Sequence, residues 1–234
     1  MGFHKIKLID LGQIEYKTAW DLQTAKHQEL ISYKKSEQRE QKRPQHSLIL
    51  CEHPHVYTLG KSGSDANLLI PQQNLSQIGA EFHKINRGGD ITYHGPGQLV
   101  VYPILDLDEL FTDVHRYVRT LEEVVIKTCE EFDIQAGRIA DYTGVWLDTK
   151  TAFPRKICAI GVHISRWVTL HGLAFNIDTD LSYFSHIIPC GISKDEKTVS
   201  SLSKELGRKV SLEEVKPIFI RHFLELFELE MIDN

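Results

Sequence analysis

The stretch Arg87-Gly-Gly-Asp-Ile-Thr-Tyr-His-Gly-Pro-Gly-Gln-Leu-Val-Val-Tyr-Pro-Ile-Leu-Asp106 constrains the fold more than any other part of the chain. It places Gly88, Gly89, Gly95 and Gly97, four of fifteen glycines, within ten residues, then runs directly into an apolar, β-branched strand. Glycine loses the most backbone freedom on folding and is used where the chain needs positive φ or where something must approach the main chain closely. Two glycine pairs flanking Thr92, Tyr93 and His94 therefore mark either a backbone cradle or a pair of tight turns between strands. On the glycines alone, turns are the commoner solution.

A phosphate loop is the first chemistry to test against this stretch. The sequence has neither GxxxxGK[ST] nor GxGxxG, and Gly95-Pro-Gly97 leads into a strand instead of the helix whose amino terminus would hold phosphate. Twelve histidines invite a metal. There is no HExxH and no cysteine pair, however, and His53-Pro-His55 lacks an evident third ligand, so neither metal nor cofactor is expected.

The 234 residues are 41% hydrophobic, enough to bury a substantial core, and one domain spanning 1–234 is expected. With 25% charged residues and a net charge of -5, composition points to no nucleic-acid partner and no disordered tail. The basic cluster Lys34, Lys35, Arg39, Lys42 and Arg43 reads as a solvated face. The amino-terminal MGFHKIKLIDLG lacks a signal peptide's apolar core and no run is long enough to span a bilayer, so a cytoplasmic protein that avoids membranes is expected. Cys51, Cys129, Cys158 and Cys190 show no CxxC spacing and read as separate thiols. A monomer is the default, since no surplus apolar surface is evident.

Lys5 to Leu11 alternates as an opening strand. A helix from Tyr16 to roughly Arg43 follows, with Ala19, Leu22, Ala25, Leu30 and Ile31 as its apolar face and Pro44 beyond its end. Strands are expected over Ser47 to Cys51, Val56 to Gly60, Glu81 to Asn86 and Gln98 to Asp106. Asp113 to Phe132 carries Val114, Tyr117, Val118, Leu121, Val124, Val125 and Cys129 at i, i+3, i+4 spacing and is the clearest helix. Three more strands, Gly144 to Leu147, Ile157 to Ile164 and Val168 to Ile177, precede a helix that Ser211-Leu-Glu-Glu214 opens as a capping box. The irregular interleaving predicts an α+β fold with mixed or antiparallel sheets and flanking helices.

Nucleophilic catalysis has one candidate. In Ser185-His-Ile-Ile-Pro-Cys-Gly-Ile192, Cys190 lies between a proline that fixes φ and a glycine that permits a sharp turn, a common way to present a thiol, although such a cysteine is also often a small buried residue. A reactive thiol needs a nearby cation or base, and Lys156, His94, His171 and His186 are available. Lys156 begins Lys-Ile-Cys-Ala-Ile-Gly-Val, a strand that otherwise reads as wholly buried. It is either a functional amine or a strand-end lysine that reaches back to water.

Three segments together resemble, in order and spacing, the lipoyl (octanoyl) transferase family: Arg87 to Gln98, Lys156-Ile-Cys-Ala-Ile-Gly161 followed by His171-Gly-Leu-Ala-Phe-Asn176, and Ile188-Pro-Cys-Gly-Ile192. His53-Pro-His-Val-Tyr-Thr-Leu-Gly60 is similar to that family's early strand, and the likeness extends over nearly the whole chain. Phe175 departs from it, standing where an aliphatic residue is usual. The resemblance implies the α+β fold of biotin and lipoate protein ligase catalytic domains. It implies transfer of an octanoyl group from octanoyl-acyl carrier protein to a lysine of a lipoyl domain, in 2-oxoacid dehydrogenase complexes or the glycine cleavage H protein, through a cysteine thioester.

Carried onto this sequence, Cys190 is the nucleophile and Lys156 its proton partner. Arg87, Gly88, Gly89, Asp90, Ile91, Thr92, Tyr93, His94, Ala159, Ile160, Gly161, Gly172, Leu173 and Ala174 would line the acyl site, and His171 would orient it. A thioester is already activated, so the missing nucleotide motifs fit such a reaction. Backbone N–H groups near Cys190, with those of Gly172 and Leu173, would stabilise the oxyanion, an effect commonly worth about 3 kcal/mol per donor. The rival readings are an ATP-dependent lipoate protein ligase and a non-catalytic lipoyl-domain or acyl-carrier binding protein on the same fold.

Overall fold

A computed structural model of the chain describes residues 4–36, 43–188 and 198–232. The elements run β1 (His4–Gln13), α1 (Tyr16–Lys35), β2 (His46–Glu52), β3 (Val56–Leu59), β4 (Glu81–Lys84), β5 (Ile91–His94), β6 (Gln98–Ile104) and α2 (Val114–Glu130). They continue with β7 (Ala136–Ile139), β8 (Tyr142–Leu147), β9 (Arg155–Ser165), β10 (Val168–Asn176), β11 (Thr198–Val199), α3 (Leu202–Leu206), α4 (Leu212–Leu226) and β12 (Leu229–Met231). The large sheet has the order β12-β1-β2-β6-β10-β9-β8-β7, with β11 also on β9, and a small sheet has the order β4-β3-β5. Both sheets mix parallel and antiparallel pairs, and helices flank them, so the α+β expectation holds. Among the described residues no helix is long and apolar enough to cross a membrane.

Strand β6 shows why the large sheet is covered on both faces. Alternation sends Leu99 and Val101 into a core with α2 and α4, and Val100, Tyr102 and Ile104 into a second core with α1. Phe175 is fully buried in the first of these cores, beside Cys129 and Cys158.

Helix α1 ends at Lys35, earlier than its charge-rich continuation suggested; Ser36 is extended, and its N–H donates to the carbonyls of Ser32 and Tyr33. Residues 37–42, including Arg39 and Lys42, lie outside the described residues. Ala25 is exposed, while Gln23 and His27 take buried places on the helix. Lys34 and Arg43 are not simply solvated: Lys34 Nζ donates to Asp106 and Asp108 at 2.5 Å each, and Arg43 pairs with Asp106 at 2.8 Å and with Glu109. In α4 only half of the capping box forms. Ser211 Oγ accepts from the Glu214 N–H at 3.2 Å, but the Glu214 carboxylate turns to Arg208 at 2.6 Å instead of reaching back.

A buried carboxylate ties α2 to β7 and to β8, the neighbour of the strand that carries Lys156. Glu122 accepts from Arg119 (2.7 Å), Arg138 (2.9 Å) and the Gly144 N–H (3.0 Å), which satisfies a charge that burial would otherwise make costly. Gly144 has φ 118°, and a Cβ there would lie 2.6 Å from the Cys158 carbonyl oxygen, so only glycine fits. Two residues on, Trp146 stands opposite Lys156 in the β8–β9 ladder.

Candidate functional site

A cavity of about 700 Å³ opens where the two sheets meet. Arg87, Gly88, Gly89, Asp90, Ile91, Thr92 and His94 line it from the small-sheet side. Lys156, Ala159, Ile160, Gly161, His171, Gly172, Leu173 and Ala174 line it from β9 and β10. The remaining walls include the apolar Val100, Val118, Trp146, Val162, Leu181 and Phe184. Bordering this open space leaves most of β9 half-exposed, with only Ile157 and Cys158 buried, so the strand is not the wholly buried one its composition suggested.

Lys156 is half-buried, its Nζ 4.5 Å from the centre of the Trp146 ring, a cation–π contact. Val199 of β11 pairs with it on the other side, and the Ser200 N–H donates to its carbonyl at 2.9 Å. Cys190 lies outside the described residues, as do all of 189–197. The residues flanking that segment, Ile187 before it and Thr198 and Val199 after it, line the cavity.

Arg87 is buried, and its guanidinium donates to the Thr58 carbonyl (2.6 Å), the Thr58 hydroxyl (3.0 Å) and the Gly88 carbonyl (3.0 Å). Asp90 accepts from its neighbour's Ile91 N–H (2.7 Å) and from Asn67 Nδ2 (2.5 Å), fixing the turn into β5. His94 faces Gln98 Oε1 at 2.9 Å through Nδ1 and the Thr58 hydroxyl at 3.3 Å through Nε2. Burial, with His53 close by, pushes its pKa down to about 3. His171, at the unusual φ of 62°, donates its N–H to Gln23 Oε1 (2.9 Å), and its Nε2 meets Asn86 Oδ1 (2.7 Å). Burial and then the Arg87 charge lower its pKa to about 3 as well. Both histidines are therefore neutral, hydrogen-bonded parts of the wall.

Several expectations shift. Tyr93 does not line the cavity; it is buried behind it, with its hydroxyl 2.7 Å from His55 Nδ1 and its ring stacked 5.0 Å from that of Tyr183. His186 does not line it either, and its Nδ1 meets the Tyr57 hydroxyl at 2.8 Å. Of the signature glycines, Gly88 and Gly89 border the cavity, whereas Gly95 and Gly97 make room for protein: a Cβ would lie 1.9 Å from the Tyr93 hydroxyl or 2.4 Å from the Asp178 carbonyl oxygen. Gly172 and Gly161 face each other across β10 and β9, and a Cβ would meet Val101 O at 2.0 Å or Arg87 Cδ at 2.9 Å. They allow the main chain to pack closely. Leu173 pairs with Val101 on one side and Ile160 on the other, so its N–H is committed within the sheet instead of to an oxyanion.

The residues that sequence reasoning missed inside the quoted motifs are polar. Gln98 closes the glycine stretch and Asn176 closes His171 to Asn176; both line the cavity and bond to each other at 2.9 Å. A polar side chain at the end of an otherwise apolar strand was the available signal. Among the described residues, His4, His46 and Glu109 bring ligand atoms within 4.8 Å of one another. None lines the cavity; Arg43 pairs with Glu109, and His46 Nδ1 accepts the Asp106 N–H at 3.2 Å.

Residues 15–224 match the family model of the lipoyl protein ligase A/B catalytic domain. An octanoyltransferase of Flavobacterium psychrophilum is 53% identical over 230 residues, covering 97% of this chain and 98% of its own. A bi-partite lipoate protein ligase of Thermoplasma acidophilum, whose structure was described with its E2 lipoyl domain, superposes with a TM-score of 0.69 at 19% identity over 100% of this chain and 87% of its own. A biotin protein ligase of Aquifex aeolicus shares the fold more distantly, with a TM-score of 0.51 at 13% identity over 95% of this chain and 70% of its own. The chain belongs to the lipoyl protein ligase A/B catalytic-domain family and, within it, to the octanoyltransferases, which are acyltransferases.

Proposed function

We propose that the chain transfers an octanoyl group from acyl carrier protein to a lysine of a lipoyl domain through a thioester on Cys190. The observation that carries this reading is the shared wall of one apolar cavity: Lys156 stands on it, and the described residues on either side of 189–197 lie on it too. The cavity suits an alkyl chain, which gains from leaving water and needs no polar partner along its length.

In the first half-reaction the Cys190 thiolate attacks the thioester carbonyl of the donor. The new bond joins Cys190 Sγ to the acyl carbon, the bond to the carrier's sulfur breaks, and the Lys156 ammonium protonates that leaving sulfur. In the second, the neutral amine of the acceptor lysine attacks the same carbon, Lys156 takes its proton, and the Cys190 thiolate leaves. The dyad returns to its starting protonation with no ATP consumed. The neutral His94 and His171 shape the wall.

Incubation with octanoyl-acyl carrier protein followed by intact-mass measurement tests the route. The wild-type chain gains one octanoyl group, Cys190→Ser gains none, and Lys156→Ala gains it slowly. Full transfer to a lipoyl domain by Cys190→Ser would refute the covalent route, as would transfer that requires ATP and free octanoate.

A further inference from the structure

A chain of buried hydrogen bonds runs along the cavity wall, through Arg87, His94, Gln98 and Asn176. It starts at the guanidinium of Arg87, which donates to the Thr58 hydroxyl at 3.0 Å. That hydroxyl faces His94 Nε2 at 3.3 Å, and His94 Nδ1 faces Gln98 Oε1 at 2.9 Å. Gln98 Nε2 donates to Asn176 Oδ1 at 2.9 Å and to the Tyr93 carbonyl at 3.2 Å. Asn176 Nδ2 donates to the Ser200 carbonyl at 3.0 Å.

The direction of every bond follows from its ends. Arg87 can only donate, so Thr58 accepts from it and turns its own hydrogen to His94 Nε2. His94 then carries its proton on Nδ1, which the carbonyl oxygen of Gln98 requires, and both amides point their N–H groups onward. The neutral state that burial imposes on His94 fits this arrangement. With Gln98 1% and Asn176 3% exposed, a member left without its partner would be costly.

This chain of bonds ends on a residue that bonds in three directions. Ser200 accepts from Asn176, donates its N–H to the Lys156 carbonyl at 2.9 Å, and gives its hydroxyl to Glu205, which also holds the guanidinium of Arg155. Ser200 follows directly on β11, whose Val199 is the ladder partner of Lys156.

We infer that Gln98 and Asn176 are positioning residues for Lys156: they fix the Ser200 main chain, and with it the strand edge from which the Lys156 amine reaches the acyl group. This rests on the proposed role of Lys156 and adds to it a route from the glycine signature to the amine. Neither amide needs to touch the octanoyl carbonyl. Their contribution is the placement of Lys156, so it enters the rate of acyl transfer more than donor binding.

The test uses the full chain with octanoyl-acyl carrier protein in single-turnover acylation, and lipoyl-domain octanoylation in parallel. Asn176→Leu and Gln98→Met keep the side-chain volume and remove the bonds. Phe219→Leu, a core change on α4 at a residue that does not line the cavity, serves as the stability control. Each amide variant is expected to lose about tenfold or more in rate with donor half-saturation changed by less than about threefold, and the double variant to be no slower than the slower single one, as for members of one unit. Phe219→Leu should keep the wild-type rate below its own unfolding temperature. Amide variants within about twofold of wild type, or a Phe219→Leu rate that falls as far as theirs, would overturn the inference. A wild-type chain that carries no octanoyl adduct would instead refute the thioester, and the lipoyl-domain rates would still decide the positioning role.

Discussion

The Lys156 ammonium stands 4.5 Å from the centre of the Trp146 ring, and the two residues are ladder partners on adjacent strands. Because the ring is held by the ladder, the contact orients a long, flexible side chain towards the cavity that both residues line. Replacing the ring with an aliphatic group should release that side chain. Trp146→Leu is expected to slow octanoyl transfer about two- to thirtyfold, matching the ~0.5–2 kcal/mol of such contacts, while Trp146→Phe keeps most of the rate. Equal rates for the Leu and Phe variants would show that the cation–π contact does not matter.

Gly172 offers a test of the close strand packing. A Cβ would sit 2.0 Å from the Val101 carbonyl oxygen, a backbone atom that cannot swing away. Gly172→Ala should lose about 1–3 kcal/mol of stability, the usual cost of overpacking, read as a lower urea midpoint with unchanged slope. A midpoint equal to wild type would contradict the packing described.

The buried histidines make stability pH-dependent. Burial holds His46 and His53 at about 4, and His94 and His171 at about 3, against 6.5 for the free side chain. Between those values the unfolded chain binds more protons than the folded one, so stability is fully present above about pH 6.5 and falls as the pH drops towards 4. From pH 7 to pH 5 each such histidine should remove roughly 2 kcal/mol. Urea titrations at the two pH values measure this, and equal midpoints would be the contrary result.

Burial pushes the thiols of Cys51, Cys129 and Cys158 well up from their ordinary range. A thiol reagent applied to the native chain should therefore modify one cysteine per molecule, Cys190, and none in Cys190→Ser. Peptide mapping that finds the label on any of the other three would refute the assignment.

Elements that bury a repeating face were legible in the sequence. The i, i+3, i+4 pattern of Tyr117, Leu121, Val124 and Val125 located α2, and Ser211 marked the start of α4. Of the short strands, β3 and β4 were legible, whereas β5, β7, β11 and β12 were not. β11 and β12 span only Thr198–Val199 and Leu229–Met231, and their extended form is set by the strands they join, β9 and β1, far away in sequence. Strand β5 hid inside the glycine stretch because glycines signal turns more strongly than four residues signal a strand. The lining residues from Arg87 to His94 were legible with the exception of Tyr93, whose inward or outward direction depends on the register with β3. Gln98 and Asn176 were passed over because a hydrogen bond between them exists only once β6 and β10 lie side by side.

The pairing of β12 with β1 has a consequence for synthesis. Leu229 lies beside His4, so one edge of the large sheet is completed by residues made more than two hundred positions after those they join. Until they leave the ribosome, the outer side of β1 has no strand beside it and could pair with another nascent chain. Contacts of such long sequence range close slowly, and this edge should be the last part of the large sheet to become protected from hydrogen exchange during refolding.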